Sequence, residues 1–168
     1  MKTNRPHDSA YKYLFRNKRI FLQLLKSFVD LDFVKDIELE NIEEVDKSFV
    51  TEDLLDRESD LIYRIKIGEK EIIIYILIEF QSKPDKSIPV RLFLYMLSIY
   101  DVLYKNSQSG NLPNIFPIIL YNGSDDWNPP TNLKELIDKN IPERFIPSCE
   151  YFLLSEKDIP ESQLKELR

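Results

Sequence analysis

The chain has 168 residues, of which 43% are hydrophobic and 12% aromatic, and a net charge of −6. This size and composition fit one globular domain with a core that needs no disulfides. Three glycines are too few for a Gly-rich phosphate loop, and one histidine and one cysteine exclude a zinc site of clustered soft ligands. The acidic balance argues against a protein that coats nucleic acid, but it is compatible with an enzyme that has one local basic patch.

The first predicted element in chain order is a helix over residues 8–29, whose apolar residues recur close to helical spacing. These residues are Tyr11, Leu14, Phe15, Phe21, Leu25 and Phe28. Asn17 is a candidate for interrupting the helix. A short first strand is predicted around Lys47–Val50, within an acidic segment of mixed character.

Two strands follow. Leu61–Ile67 alternates between apolar and polar residues, which is typical of a strand with one wetter face. Glu71–Phe80 is rich in β-branched residues and predicts a central strand that is buried on both faces. An antiparallel hairpin with a four-residue loop over 68–71 would pair Ile67 with Ile72.

A helix is predicted next over Val90–Tyr104, opened by Pro89. Its apolar stripe consists of Leu92, Tyr95, Met96, Ile99 and Leu103. The following strand, Ile115–Tyr121, contains Pro117, which predicts a sheet edge or a strand start. Tyr121-Asn122-Gly123 then indicates a structural turn rather than a site.

The last predicted elements are a strand over Cys149–Leu154 and a helix that begins at Ser155. Cys149 is expected to be a small buried apolar residue. Because the final helix is only beginning when the chain ends, we expect residues 1–168 to form a single domain from the N-terminal part of a longer protein. The lone cysteine, and a sequence that indicates neither a signal peptide nor a membrane span, favour the cytoplasm and no membrane contact.

The predicted pairing of the two hairpin strands places polar residues together at one end of the hairpin. With Ile67 opposite Ile72, Asp60 falls opposite Glu79, and Gln81 lies on the same face. Two carboxylates at that distance repel each other, and a divalent cation held by oxygen ligands would turn the repulsion into attraction. The alternative is that the acids are solvated strand ends, or that the register differs by one residue and separates them.

The spacing of this Asp and the Glu-x-Gln element resembles the PD-(D/E)xK nuclease core. Neighbouring segments extend the resemblance in order: "HDSAYKYLF", "RESDLIYRI", "YILIEFQSKPDKSIPVRLFLYM", and "FPIILYNG" followed by Trp127. Together they resemble the Rpn/YhgA-like family of recombination-promoting nucleases and transposases, from about His7 to Tyr151. The resemblance implies an α/β fold with a restriction-endonuclease-like core, in which helices flank a central mixed β-sheet.

The resemblance also implies the roles of the site residues. Asp60 and Glu79 would be the metal-binding acids, with the backbone carbonyl of Phe80 as a third ligand for Mg²⁺ or Mn²⁺. Gln81 stands where the wider superfamily usually has lysine, so it would orient the attacking water without accepting its proton. Lys83 could partly substitute for that lysine. Phe80 departs from the histidine that family members often carry.

Other residues have two open interpretations each. His7 and Asp8 match the family's N-terminal pair and could support the site, although Asp8 is also a natural helix cap and His7 could lie at an exposed helix start. Lys12, Arg16 and Arg19 share a helix face by their spacing, which is either a DNA-contacting patch or a solvated surface.

Arg91 and Tyr95 lie one turn apart on the helix after the Glu-x-Gln strand. They could reach the backbone of bound DNA, or they could pack, with the arginine pairing with glutamate side chains.

The implied function is a Mg²⁺-dependent DNA endonuclease that acts in recombination or mobile-element biology. One alternative is a catalytically weak or inactive domain that keeps the nuclease fold and binds nucleic acid or a protein partner. Another is a soluble regulatory module with an accidental resemblance. The oligomeric state is left open, with a homo-oligomer as one outcome.

Overall fold

The protein is described from a computed structural model over residues 13–45, 61–79, 83–107 and 110–159. Its centre is a five-stranded sheet in the order β1-β2-β3-β4-β5. The strands are β1 Ile42–Glu44, β2 Leu61–Ile67, β3 Lys70–Glu79, β4 Asn114–Tyr121 and β5 Phe152–Ser155. β1, β2 and β3 pair antiparallel, whereas β3, β4 and β5 pair parallel. The predicted mixed sheet is confirmed.

Helices cover both faces of this sheet. They are α1 Lys18–Phe28, α2 Asp32–Lys35 and α3 Ile88–Asn106. Short 3₁₀ turns occur at Leu39–Asn41, Leu133–Leu136, Glu143–Phe145 and Glu156–Asp158. The result is an α/β fold with one apolar core on each side of the sheet, compatible with a restriction-endonuclease-like core. None of the helices in the described ranges has the length and apolarity needed to cross a membrane.

β3 is the central strand, as its β-branched run predicts. Ile74 and Ile76 pack in the core under α1 and α2, whereas Ile73 and Tyr75 pack in the core under α3. All four side chains are buried. Successive side chains of β3 point to opposite faces of the sheet, and both faces are covered by an apolar core. This accounts for the absence of polar residues in this stretch.

The first helix is interrupted at Asn17, as predicted. Residues 13–16 are helical, and α1 then restarts with Asn17 as its cap, because the Asn17 side chain accepts a hydrogen bond from the backbone N–H of Arg19 at 3.0 Å. The segment before the break is tied to the sheet by Tyr63 on β2, whose hydroxyl donates to the carbonyl of Phe15. The Tyr63 ring stacks on Phe21 at 4.1 Å, and burial raises the pKa of Tyr63.

α3 confirms the predicted helix and its stripe, and it extends two residues further at each end. Pro89 lies in the first turn, where its missing N–H costs no helical hydrogen bond. The five stripe residues all belong to the core between α3 and the sheet. The periodicity of the sequence predicted this stripe correctly because one face of the helix packs against one face of the sheet.

The hairpin between β2 and β3 differs from the prediction. Ile67 pairs with Lys70 rather than with Ile72, so the loop has two residues, Gly68 and Glu69. Gly68 adopts φ 59°, the left-handed region that such tight turns require at their first central position. The predicted register is therefore wrong by two residues. Because the shift is even, it leaves every residue of both strands on its predicted face.

Three strand predictions also need correction. β4 lies inside the sheet, between β3 and β5, so the edge position predicted from Pro117 is wrong. Pro117 comes just before Ile118, which is the first residue of β4 that pairs with β5. β5 begins at Phe152, three residues later than predicted. β1 occupies 42–44, where loops were expected, and the strand predicted at 47–50 lies outside the described residues.

At the end of the chain, Ser155 is followed by a 3₁₀ turn rather than by an α-helix over Glu156–Asp158. The rest of that predicted helix, from residue 160 on, lies outside the described residues.

Candidate functional site

The candidate site is at the edge of the sheet where the three parallel strands end. Glu79 on β3 pairs with Tyr121 on β4, and Tyr121 pairs with Ser155 on β5. We call this edge, defined by Glu79, Tyr121 and Ser155, the carboxyl edge. β2 runs in the opposite direction and begins here at Leu61. Ligands of open α/β sheets bind outside the carboxyl ends of the strands, so this edge is a place where a site is expected.

The two acids predicted from the sequence are, along the chain, at or next to the strand ends that form this edge. Glu79 is the last residue of β3, and Asp60 directly precedes Leu61. Leu61 pairs with Ile76, three residues before Glu79, so the direct opposition of Asp60 and Glu79 rested on a register that is wrong. Asp60, Phe80 and Gln81 themselves lie outside the described residues. Their roles stay predictions.

An aromatic group supports the carboxyl edge from the loop after β4. Tyr121 is fully buried, and its hydroxyl donates to the carbonyl of Asp125 at 2.9 Å. Its ring meets Trp127 edge-on at 4.9 Å. Trp127 Nε1 donates to the Tyr151 hydroxyl at 3.1 Å, and that hydroxyl donates to the carbonyl of Pro130 at 2.9 Å. Burial raises the pKa of Tyr151 to about 12, so this network stays uncharged at neutral pH.

Two further features of the edge were not apparent from the sequence. Ser155 is only 5% exposed, and its hydroxyl has no hydrogen-bond partner within the described part of the chain. Lys157 forms an ion pair with Asp126, which lies in the loop after β4. Their positions follow from the parallel pairing of β4 and β5, and no motif in the linear sequence points to that pairing.

Arg91 takes up one of the two roles left open for it. Its Nη1 donates to Asp85 Oδ2 at 2.7 Å, so it pairs with an aspartate of the preceding loop rather than with a glutamate. The backbone N–H of Ser87 donates to Asp85 Oδ1 and holds the pKa of this carboxyl below its ordinary value, with Arg91 adding to the effect. Contact between Arg91 and DNA stays a prediction. Lys83, in the same loop, is exposed.

Tyr95, the partner of Arg91 in the prediction, packs in the core under α3. Its ring lies 6.0 Å from that of Tyr75 on β3. The packing alternative therefore describes what this side chain does in the structure.

The predicted basic face is divided by the break at Asn17. Arg16 precedes the break and pairs with Glu44 on β1 at 3.4 Å, whereas Arg19 lies in α1 and is exposed. The spacing argument assumed one continuous helix, so the shared face of these two residues is not supported. Lys12, like His7 and Asp8, lies outside the described residues.

No group of three or more His, Cys, Asp or Glu side chains that could hold a metal occurs among the described residues. Cys149 is buried, with its Sγ 3.2 Å from Met96 Sδ, and burial raises the pKa of the thiol. This confirms the prediction that Cys149 is a buried apolar residue.

Comparison with known families gives one match that covers almost the whole chain. The family described as "Putative transposase, YhgA-like" matches residues 5–168. No solved structure gives a significant match.

Curated relatives carry nuclease names. The recombination-promoting nuclease RpnD of Escherichia coli O157:H7 is 26% identical over 155 residues, which is 83% of this chain and 58% of RpnD. RpnC of E. coli K12, named likewise, is 24% identical over 118 residues, 70% of this chain and 39% of RpnC. The chain thus spans about half the length of these two relatives.

A third relative has a different name. The "Putative inactive recombination-promoting nuclease-like protein YjiP" of E. coli K12 is 28% identical over 101 residues, 58% of this chain and 94% of YjiP. Relatives named as nucleases and one named as putatively inactive therefore have similar percentage identities to this chain over the residues that align.

Proposed function

This chain belongs to the YhgA-like putative transposase family, and on that basis we propose that it is a Mg²⁺-dependent DNA endonuclease whose site lies at the carboxyl edge. The observation that carries the proposal is the position of Glu79, which ends the central strand at the point where parallel pairing with β4 also ends. The names of RpnD and RpnC support the reaction class.

In this proposal, Asp60, Glu79 and the carbonyl of Phe80 hold Mg²⁺ or Mn²⁺. The donors are all oxygens, which suits these hard cations. When bound, such a cation makes water more acidic and stabilises charge on the phosphate that is cleaved. Gln81 donates and accepts hydrogen bonds, so it orients the attacking water without taking a proton from it. The exposed Lys83 offsets part of the negative charge of the DNA.

The observed register supports the placement of the two acids on one face. Ile62 of β2 and Tyr75 of β3 both pack in the core under α3. Asp60 is two residues from Ile62 and Glu79 is four residues from Tyr75, so both carboxylates would point to that face if the alternation of the strands continues to these positions. Two carboxylates on one face repel each other, and the proposed cation compensates for that repulsion.

A second candidate function is a nuclease-fold domain with weak or no activity that binds nucleic acid or a protein partner. The similarity to YjiP favours it, as does a glutamine at position 81. The two candidates differ in one outcome, which is cleavage.

The test is nicking of supercoiled plasmid with and without Mg²⁺ or Mn²⁺. We expect metal-dependent nicking, and a rate that falls by about 100-fold or more in the Asp60→Ala/Glu79→Ala variant. The matched control is Glu69→Ala/Asp138→Ala, which removes two exposed acids that have no role in the proposed site and should leave the rate unchanged. Nicking that ignores the metal or survives the first variant contradicts the proposed site.

Thermal melting separates a missing activity from a missing metal site. At a Mn²⁺ concentration about 100 times the dissociation constant, binding to the folded state alone should raise the melting temperature by about 5 to 10 °C. The Asp60→Ala/Glu79→Ala variant should lose this rise. Mn²⁺-dependent stabilisation without nicking would favour the second candidate function.

A further inference from the structure

α3 is apolar on two opposite faces. Its inner face fills the core against the sheet, with Ile88, Leu92 and Ile99 buried. Its outer face carries four large apolar residues that are exposed to solvent. They are Val90 at 44%, Leu94 at 55%, Leu97 at 47% and Tyr104 at 63% exposure. The outer residues therefore contribute little to the core that the inner face completes.

The outer residues follow the spacing of a helix–helix seam. With about 100° of rotation per residue, positions 90, 94, 97, 101 and 104 fall within an arc of roughly 80°. Their alternating separations of four and three residues are those of a and d positions in a heptad. We call this set, Val90, Leu94, Leu97, Asp101 and Tyr104, the outer stripe.

The outer stripe is nearly free of charge. Its one charged member, Asp101, pairs with Lys105 on the same helix at 2.6 Å. α1 differs in this respect, because its exposed positions are polar. They are Lys18, Arg19, Gln23, Lys26 and Ser27. A solvated helix face is expected to look like that of α1, whereas depletion of charge around exposed aromatic and aliphatic residues is typical of the centre of a protein interface.

We propose that the outer stripe is the interface of a homodimer in which α3 packs antiparallel against α3 of a second copy. A seam of this spacing is matched by another helix with the same seam, and among the described helices long enough to form one only α3 has it. The proposal is independent of the proposed nuclease function, because it concerns the face of α3 that points away from the sheet.

The charge pattern selects the antiparallel orientation. Parallel helices would place Asp101 beside Asp101 of the other copy within an apolar seam, where like charges repel strongly. An antiparallel pair with its two-fold axis between Leu94 and Leu97 puts these leucines in the middle. Each Asp101 then lies beside Val90 of the other copy, away from the middle of the seam, where Lys105 and solvent can reach it.

The first experiment measures the mass in solution by light scattering over a concentration series. We expect the 168-residue chain to be a dimer at about 100 μM, above the micromolar dissociation constants of modest interfaces. Leu94→Glu/Leu97→Glu should be a monomer and remain folded, because both side chains are exposed. The matched control, Leu31→Glu/Leu112→Glu, changes two exposed leucines outside α3 and should stay dimeric. A monomeric parent chain, or a dimer that survives Leu94→Glu/Leu97→Glu, overturns the proposal.

Disulfide trapping then tests the orientation in a Cys149→Ala background, which contains no other cysteine. A mixture of Val90→Cys and Asp101→Cys chains should form a cross-linked heterodimer. Val90→Cys alone should not cross-link, because the two copies of position 90 would lie about 16 Å apart along the helices, beyond the reach of a disulfide. Cross-linking of Val90→Cys to itself would indicate parallel helices and contradict the proposed arrangement.

Discussion

Asp85 shows how a single residue connects the candidate site to the helix that follows it. One carboxylate oxygen accepts from the backbone N–H of Ser87 at 2.8 Å, and the other accepts from Arg91 at 2.7 Å. The Arg91 side chain is only 19% exposed, so solvent screens this ion pair less than it screens a fully exposed one. Asp85 thereby fixes the loop after β3 against the first turn of α3.

We predict that this contribution of Asp85 depends on pH. The folded state lowers the pKa of Asp85, chiefly through the N–H of Ser87, so the stabilisation is present above the ordinary pKa of aspartate and is lost as the pH falls through the lowered value. At pH 7, Asp85→Ala should reduce the free energy of unfolding by about 1 kcal/mol. Urea denaturation of both proteins should show that the difference shrinks in acid. Asp138→Ala, which removes an exposed aspartate, should show no such difference at pH 7; a constant difference for Asp85→Ala at all pH values would contradict the prediction.

The hairpin of β2 and β3 shows how an element sets the geometry around it. The two-residue turn pairs Ile67 with Lys70, and every other pair follows from that one, up to Leu61 with Ile76. The turn thus decides which residues of β3 stand opposite the start of β2, next to Asp60. Gly68 is the residue on which the turn depends, because its φ of 59° is in the left-handed region.

We predict that Gly68→Ala destabilises the protein through backbone strain. A Cβ at this position would meet no atom within 4 Å, so a steric clash is not the reason. An L-residue in this conformation costs about 1 kcal/mol, and the free energy of unfolding should fall by that amount. Glu69→Ala in the same turn is the control, because Glu69 does not have a positive φ, and it should have little effect. Equal stability of Gly68→Ala and the parent chain would contradict this account of the turn.

At the scale of the whole molecule, the proposed function would require an acidic protein to bind a polyanion. The net charge of −6 opposes DNA binding at long range, so binding must rely on a local cationic surface or on a bound cation. Arg16 is already paired with Glu44 on β1. Arg19 of the predicted basic patch is exposed at the start of α1, and the neighbouring Lys18 is exposed as well.

We predict that Lys18→Glu/Arg19→Glu weakens DNA binding and lowers its salt dependence. Each phosphate contact that is lost should reduce the slope of log affinity against log salt by about 1. The measurement is fluorescence anisotropy with a DNA duplex, in the Asp60→Ala/Glu79→Ala background so that the DNA stays intact. Lys139→Glu/Arg144→Glu makes the same change of charge elsewhere on the surface and should have a smaller effect. Equal effects of the two pairs would show that only net charge matters and that α1 does not contact DNA.

The amino-acid sequence by itself determined the features that depend on near neighbours in the chain. The helical stripe from Leu92 to Leu103, the doubly buried run of β3 and the break at Asn17 were all predictable. In each case, local periodicity or a side chain's hydrogen bond to its own backbone decides the conformation.

Only the tertiary structure decided which distant segments meet. The register of β2 and β3 differed from the prediction because the turn closes at Gly68-Glu69, a choice between loop lengths that the apolar pattern does not distinguish. The alignment of Glu79, Tyr121 and Ser155 comes from parallel pairing between strands far apart in sequence. Parallel strands are joined by long connections, so their relative position is set by packing across the whole sheet and not by any short motif.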